Sequence, residues 1–253
     1  MPRARNTPAR MRPAQEQPAI AAHAAWLAGL TPLQVRCRGT WNPATHPWGT
    51  AAREKWVGPI LEHGPRPLFE MEQVIPGEDP DDPDTDPILD AVELHESGQT
   101  GEARRLLLKV AERDPRCIDA HAHLGHLLFD HDVPQALAHY TTGVEIGKQA
   151  LGPRFDGVLS WNLLDNRPFL RCLHGYIQCL WRLDRFEEVE RAITEMLWLK
   201  CSRDGNSLFE DLRLNMRDGR RQQIRIVLPW GKLTRVGHFS VPCVCGAAIQ
   251  SVR

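Results

Sequence analysis

The sequence predicts an all-α fold: about three antiparallel helix pairs stacked over residues 88–199, flanked by an irregular N-terminal segment and a short C-terminal tail that reads as a β-hairpin or as disordered chain. Three observations lead there. Apolar and small residues recur at spacings of three and four from Ile88 onward, short breaks at Gly98 and near Asp132 separate the helical blocks, and the block holding Ala103 returns at Ala136, 33 residues on.

Taken in order, residues 1–18 form a Pro-, Ala- and Arg-rich arm with little to bury, and a disordered basic arm is expected. Residues 19–76 carry a short helix, Ala19 to Leu30, in good helix formers that stop at Gly29 ahead of Pro32. The remainder of that stretch, with Trp41, Trp48, Trp56 and Phe69 among many Pro and Gly, reads as irregular structure packed on something else. Residues 77–87, GEDPDDPDTDP, read as an extended acidic linker because each Pro removes a donor and biases its predecessor away from helix. Its carboxylates lack the alternating D-x-D-x-D-G spacing with a distal Glu that calcium loops use. At its end Asp86 is placed to cap a helix and Pro87 to occupy the first helical position.

From there the repeats begin. Ile88, Ala91, Val92 and Leu94 supply one helical face, and Ala103, Leu107 and Val110 supply the next before Pro115. Leu124, Gly125 and Leu128, then Ala136, Tyr140 and Gly143, repeat the scheme, with small residues where helices cross closely and large ones filling between. After an insertion at 148–168, Leu173, Tyr176, Ile177 and Leu180 form a third first helix, and Phe186, Val189, Ile193 and Met196 its partner. Residues 200–253 are a divergent basic tail in which apolar and polar residues alternate in QQIRIVL and KLTRVGHFSV. A solenoid needs a covered end, and the aromatic N-terminal segment or a helix over Ser207 to Asp218 is expected to supply it.

The alternation of Ala91, Ala103, Gly125 and Ala136 with Leu94, Leu107, Leu128 and Tyr140 resembles the tetratricopeptide repeat, whose period is about 34 residues. The resemblance covers Asp84 to Leu199. Trp161 to Leu199 further resembles a largely uncharacterised group of tetratricopeptide proteins in which a DNRPFLR-type turn leads into the last repeat; the Asn-Pro and D-N-Q-G-x-R segments that follow in that group are replaced here by KCSRDGNSLFED. The repeat resemblance implies a concave groove lined by the outward positions of each first helix: Val92, His95 and Glu96, then Ala122, His126, Phe129 and Asp130, then Arg171, His174, Gln178, Trp181 and Arg182. The partner-binding residues it singles out are His126, Phe129, Asp130, Arg171, His174, Gln178, Trp181 and Arg182. Phe129 and Trp181 suit an apolar anchor, and Arg171 and Arg182 suit a bidentate carboxylate.

Composition and motifs narrow the function classes. With 31 Lys and Arg against 32 Asp and Glu, the formal net charge of −1 speaks against a chain that wraps nucleic acid along its length. Charge is unevenly placed, however: Arg3, Arg5, Arg10 and Arg12 precede a stretch from Pro67 to Ala103 without Lys or Arg, and Arg213, Arg217, Arg220, Arg221 and Arg225 cluster near the end. Seven scattered cysteines fit reduced thiols in a cytoplasm better than a disulfide framework. No run of apolar residues is long enough for a membrane span, while Met1 to Met11, rich in Arg and Ala and free of acids, also fits an organelle transit peptide.

The histidines of HAHLGHLLFDH do not converge, since His123 and His126 share a helical face and His121 points elsewhere; His121 is expected between helices. Cys243 and Cys245 form a lone C-x-C. The usual phosphate, zinc-protease and hydrolase templates are missing. Asp165 and Asn166 ahead of Pro168 are what a helix-initiating loop requires. The expectation is a cytoplasmic, non-catalytic adaptor with no cofactor and no metal that binds a protein or peptide segment in the groove. Its alternatives are a nucleic-acid-associated protein acting through the basic tail and a His/Cys metal-binding protein.

Overall fold

The computed structural model describes residues 22–45, 60, 62–79 and 81–200. The chain divides into two compact units, Met1–Pro32 and Leu33–Arg253. In the first, residues 22–29 form helix α1, within which His23 stacks on Trp26 with ring centroids 5.2 Å apart. The arm at 1–18, Trp48, Trp56, the tail beyond Lys200 with the hairpin expected in it, and the expected capping helix at 207–218 lie outside the described residues.

The second unit is mainly helical. Among the described residues it holds helices α2 (Pro87–Glu96), α3 (Thr100–Arg113), α4 (Ile118–Leu128), α5 (Val133–Leu151), α6 (Arg167–Arg182) and α7 (Phe186–Lys200). Asp86 caps α2, its Oδ1 accepting the Ile88 amide at 2.7 Å, and Pro87 opens the helix where a missing N–H costs nothing. Asp132 caps α5 through the Gln135 amide in the same way. Connections of a few residues fold α2 on α3, α4 on α5 and α6 on α7 as antiparallel neighbours. Beyond those pairs, α3 touches α4, and α6 packs on both α4 and α5. No described helix is long and apolar enough to cross a membrane.

Close approach of α4, α5 and α6 depends on glycine. Tyr140 of α5 inserts its ring between α4 and α6, and a Cβ at Gly125 or Gly175 would lie 2.7 or 2.2 Å from that ring. Further along α5, Gly147 accepts the Phe169 ring, which would meet a Cβ at 2.1 Å. Tyr140 and Phe169 are both buried, so neither ring can swing into solvent to relieve a clash.

Residues 38–76 are not irregular throughout, and the fold is not all-α. Strand β1 (Val35–Trp41) pairs antiparallel with β2 (Arg66–Met71), from Val35 opposite Met71 to Trp41 opposite Arg66, with a register shift between Cys37 and Gly39. Gly39 sits at φ 135°, a conformation that favours glycine. In the insertion between α5 and α6, β3 (Val158–Leu159) pairs parallel with Leu68 and Phe69 of β2. The N-terminal segment and the insertion thus build one small sheet that belongs to the same unit as the helices.

Two buried polar side chains fasten that sheet. Asn166, fully buried before α6, accepts the Met71 amide at 2.9 Å through Oδ1 and donates through Nδ2 to the carbonyls of Phe69 at 2.9 Å and Ser160 at 3.1 Å. Arg66, 2% exposed, donates to the carbonyls of Asp156 at 3.2 Å, Gly157 at 2.8 Å and Trp198 at 2.8 Å, with its guanidinium carbon 3.7 Å from the centroid of the Trp198 ring. The Trp198 carbonyl lies in the last turn of α7, where the helix dipole favours a cation. The Asn of the DNRP turn is therefore structural: it replaces a ladder partner for β2 rather than facing a ligand.

Gly175→Ala is expected to destabilise the protein by about 1–3 kcal/mol, because the added methyl meets a ring already held on its other side by Gly125. Gly101, with open space around it, is the control. Equal melting temperatures for Gly175→Ala and Gly101→Ala would show that the Tyr140 fit is not tight. Asn166→Ala strands one amide and two carbonyls in the interior and is expected to cost about 3 kcal/mol in denaturant titration. Amide exchange at Met71 should accelerate along with it, and an unchanged rate there would mean that Asn166 does not hold β2.

Candidate functional site

The outward faces of α4 and α6 lie side by side, and most of the residues expected in a groove fall on them. Arg171, His174, Gln178, Trp181 and Arg182 follow at spacings of three and four, which places them on one stripe of α6. His174, Gln178 and Trp181 are half-buried, and Arg182 is exposed. On α4 and its C-terminal turn, His126 and Asp130 are exposed and Phe129 is half-buried.

Two arginine contacts join the helices. Near the start of α4, Arg171 Nη1 donates to Asp119 Oδ1 at 2.9 Å, and His123 Nε2 stands 3.6 Å from the same oxygen. Near the other end, Arg182 donates from Nη1 to the Phe129 carbonyl at 2.8 Å and from Nη2 to Asp130 Oδ1 at 2.9 Å, and its guanidinium carbon sits 3.9 Å from the Phe129 ring centroid. Both arginines expected to receive a ligand carboxylate thus already have partners in the fold. The two pairs differ in solvation. The Asp119 side chain is 12% exposed and that of Asp130 is 75% exposed, so water screens the second pair far more and it is worth at most about 1 kcal/mol.

Trp181 meets the Phe186 ring edge-on at 5.3 Å between centroids, so it covers the start of α7 as well as lining the stripe. His126 faces His95 of α2, with ring centroids 6.0 Å apart at 88°. Sequence reasoning passed over Asp119 as the carboxylate that holds Arg171. Its four-residue spacing from His123 on α4 was the available signal.

The histidines of α4 diverge. His121 is buried between α4 and α5, with Nε2 3.2 Å from the Pro115 carbonyl and Nδ1 3.4 Å from Nδ1 of His139. A carbonyl only accepts, so the proton of neutral His121 is on Nε2, and its Nδ1 accepts from His139 Nδ1–H. Burial pushes the His121 pKa down to about 4, with the neighbouring His139 acting in the same direction. His139 is lowered by its own burial and by Arg104. His123 is lowered mainly by burial, with Arg171 and His126 adding to that and Asp119 opposing. Among the described residues no group of three or more His, Cys, Asp or Glu is arranged to hold a metal ion. Cys243 and Cys245 lie outside those residues. Cys117, Cys172 and Cys179 are buried, and burial raises all three thiols, which keeps them protonated and unreactive.

No family model, curated protein or solved structure matches the chain.

The His121 pair makes stability depend on pH. Its folded pKa of about 4 lies below the ordinary 6.5, so the unfolded chain binds the proton more tightly. Stability from this group is full above pH 6.5 and is lost as the pH falls toward 4, by about 3 kcal/mol at most. His121→Leu is expected to flatten the slope of unfolding free energy against pH in that window by up to one proton. An unchanged slope would show that His121 titrates normally in the folded protein.

Proposed function

We propose that residues 88–199 form a tetratricopeptide-type array of about three helix pairs that serves as a non-catalytic adaptor, binding an extended protein or peptide segment across α4 and α6. The observation that carries this reading is the end of the stripe at which Arg182 lies over Phe129 beside Trp181 and Gln178. Aromatic surface and a guanidinium held flat against it are the side-chain chemistry enriched where peptides gain most of their binding energy.

The division of labour follows from solvation. Arg171 is tied to a nearly buried carboxylate and keeps α6 registered on α4, so it positions the groove. Arg182 is tied to a carboxylate in open water, and a ligand carboxylate can displace Asp130 at little cost. An apolar ligand side chain would rest between Phe129 and Trp181, and Gln178 would hydrogen-bond the ligand backbone. The ligand is thus an extended segment with an apolar residue near an acidic one.

A peptide library displayed against the full chain tests this. Selected peptides are expected to share an apolar and an acidic position, and Trp181→Ala with Arg182→Ala should weaken them at least about tenfold in fluorescence anisotropy. Arg191→Ala, an exposed change on α7, should leave them unaffected. Peptides that bind the double variant as tightly as the parent, or a library that yields no binder, would end the groove hypothesis.

A further inference from the structure

At the opposite end of the array, the first helix pair carries two stripes of opposite charge. On α2, Asp90 and Glu93 are exposed and three residues apart. On α3, Arg105, Lys109 and Arg113 recur every four residues and are all exposed. Between the helices runs an open furrow lined by Pro87, Leu106, Lys109, Val110, Glu112 and Arg113. Arg105 is paired with Glu102 of its own helix, and no ion pair joins the two stripes among the described residues. Pro87, Leu106 and Val110 give the furrow an apolar floor, Lys109, Arg113 and Glu112 of α3 border it, and the exposed Asp90 and Glu93 belong to the neighbouring α2.

We propose that this face binds a second copy of the chain, α2 of each copy lying on α3 of the other. A two-fold axis running along the helices places each acidic stripe on the partner's basic stripe, with Asp90 near Lys109 and Arg113, and Glu93 near Arg105. An axis across the helices would instead stack α2 on α2 and set like charges together, so complementarity selects the first arrangement. The apolar floor, with Leu106 and Pro87 from both copies, supplies the burial, and the charges supply register and orientation.

The helices have 10 and 14 residues, about 15 and 21 Å of length, so each copy contributes a few hundred Å². That is below the roughly 800 Å² per partner of a standard stable interface and predicts a dimer with a dissociation constant on the order of micromolar or weaker.

Sedimentation of the full chain from about 1 to about 200 µM, at low and high salt, is the measurement, because mass action makes a weak dimer concentration-dependent. A monomer–dimer equilibrium that weakens with salt is expected. Two charge-reversed variants, Asp90→Lys with Glu93→Lys and Lys109→Glu with Arg113→Glu, should each be monomeric at least about tenfold further up the series. Mixed together they should recover a heterodimer, since the basic α2 of one then meets the acidic α3 of the other and the reverse pairing holds too. Circular dichroism confirms that both variants are folded. A chain that stays monomeric throughout, a dimer that neither variant weakens, or variants that fail to pair with each other would overturn the proposal.

Discussion

Asn166 and Arg66 are what make one fold out of pieces that could not stand separately. A strand pair as short as β1 and β2 is marginal in water, and β3 contributes only two residues to it. Asn166 converts that marginal sheet into part of the interior by offering an acceptor to Met71 and donors to Phe69 and Ser160, so the edge of β2 next to the insertion ends on a side chain instead of on water. Arg66 does the same at the other end of β2, reaching the insertion and the final turn of α7 at once. Its buried charge is tolerated because three carbonyls, the end of a helix, the Trp198 ring and the Asp156 carboxylate at 3.8 Å surround it. Both side chains act between segments about ninety or more residues apart in sequence, so their loss is expected to act across the whole unit.

The same constraint explains why the faces of α4 and α6 lie together. The sheet fixes the start of α6 through Asn166, and Tyr140 fixes its middle by filling the space that Gly125 and Gly175 leave. With both points set, the stripe from Arg171 to Arg182 has no freedom to rotate away from α4. The arginine contacts to Asp119 and Asp130 register helices whose packing is already determined, and they do not create that packing.

Helices were legible in the sequence where periodicity and caps agreed. Asp86 with Pro87 marked the start of α2, and Ala103, Leu107 and Val110 marked the inward face of α3; all three of those face residues are buried. The sheet was not legible, for physical reasons. The alternation in β1 is broken by a register shift at Cys37 and Gly39, β2 contains a proline, and β3 is too short to carry a pattern. Strand identity there comes from long-range pairing and from a buried asparagine, neither of which leaves a local periodic trace. The stripe on α6 could be read from spacing alone, but the presence of internal partners for Arg171 and Arg182 depends on how two helices are juxtaposed.

Those internal partners constrain what the proposed groove could bind. An arginine with no partner would attract any anion, and its selectivity would be poor. In the proposed groove Asp130 would instead set a threshold: a ligand would have to offer Arg182 a carboxylate that stays in place better than one on a largely solvated side chain. A lone carboxylate in solution loses too much freedom on binding to gain from the exchange. One delivered on a chain whose neighbouring apolar group rested between Phe129 and Trp181, as proposed, would already have lost that freedom, and the exchange would become favourable. Arg171 is as exposed as Arg182, but its partner Asp119 is 12% exposed and is screened far less by water than Asp130, so that pair is the harder of the two to displace. On the proposed reading the two ends of one stripe would play different parts, Arg171 keeping its internal partner and Arg182 exchanging its own for the ligand, and the difference comes from the exposure of the aspartate on the facing helix.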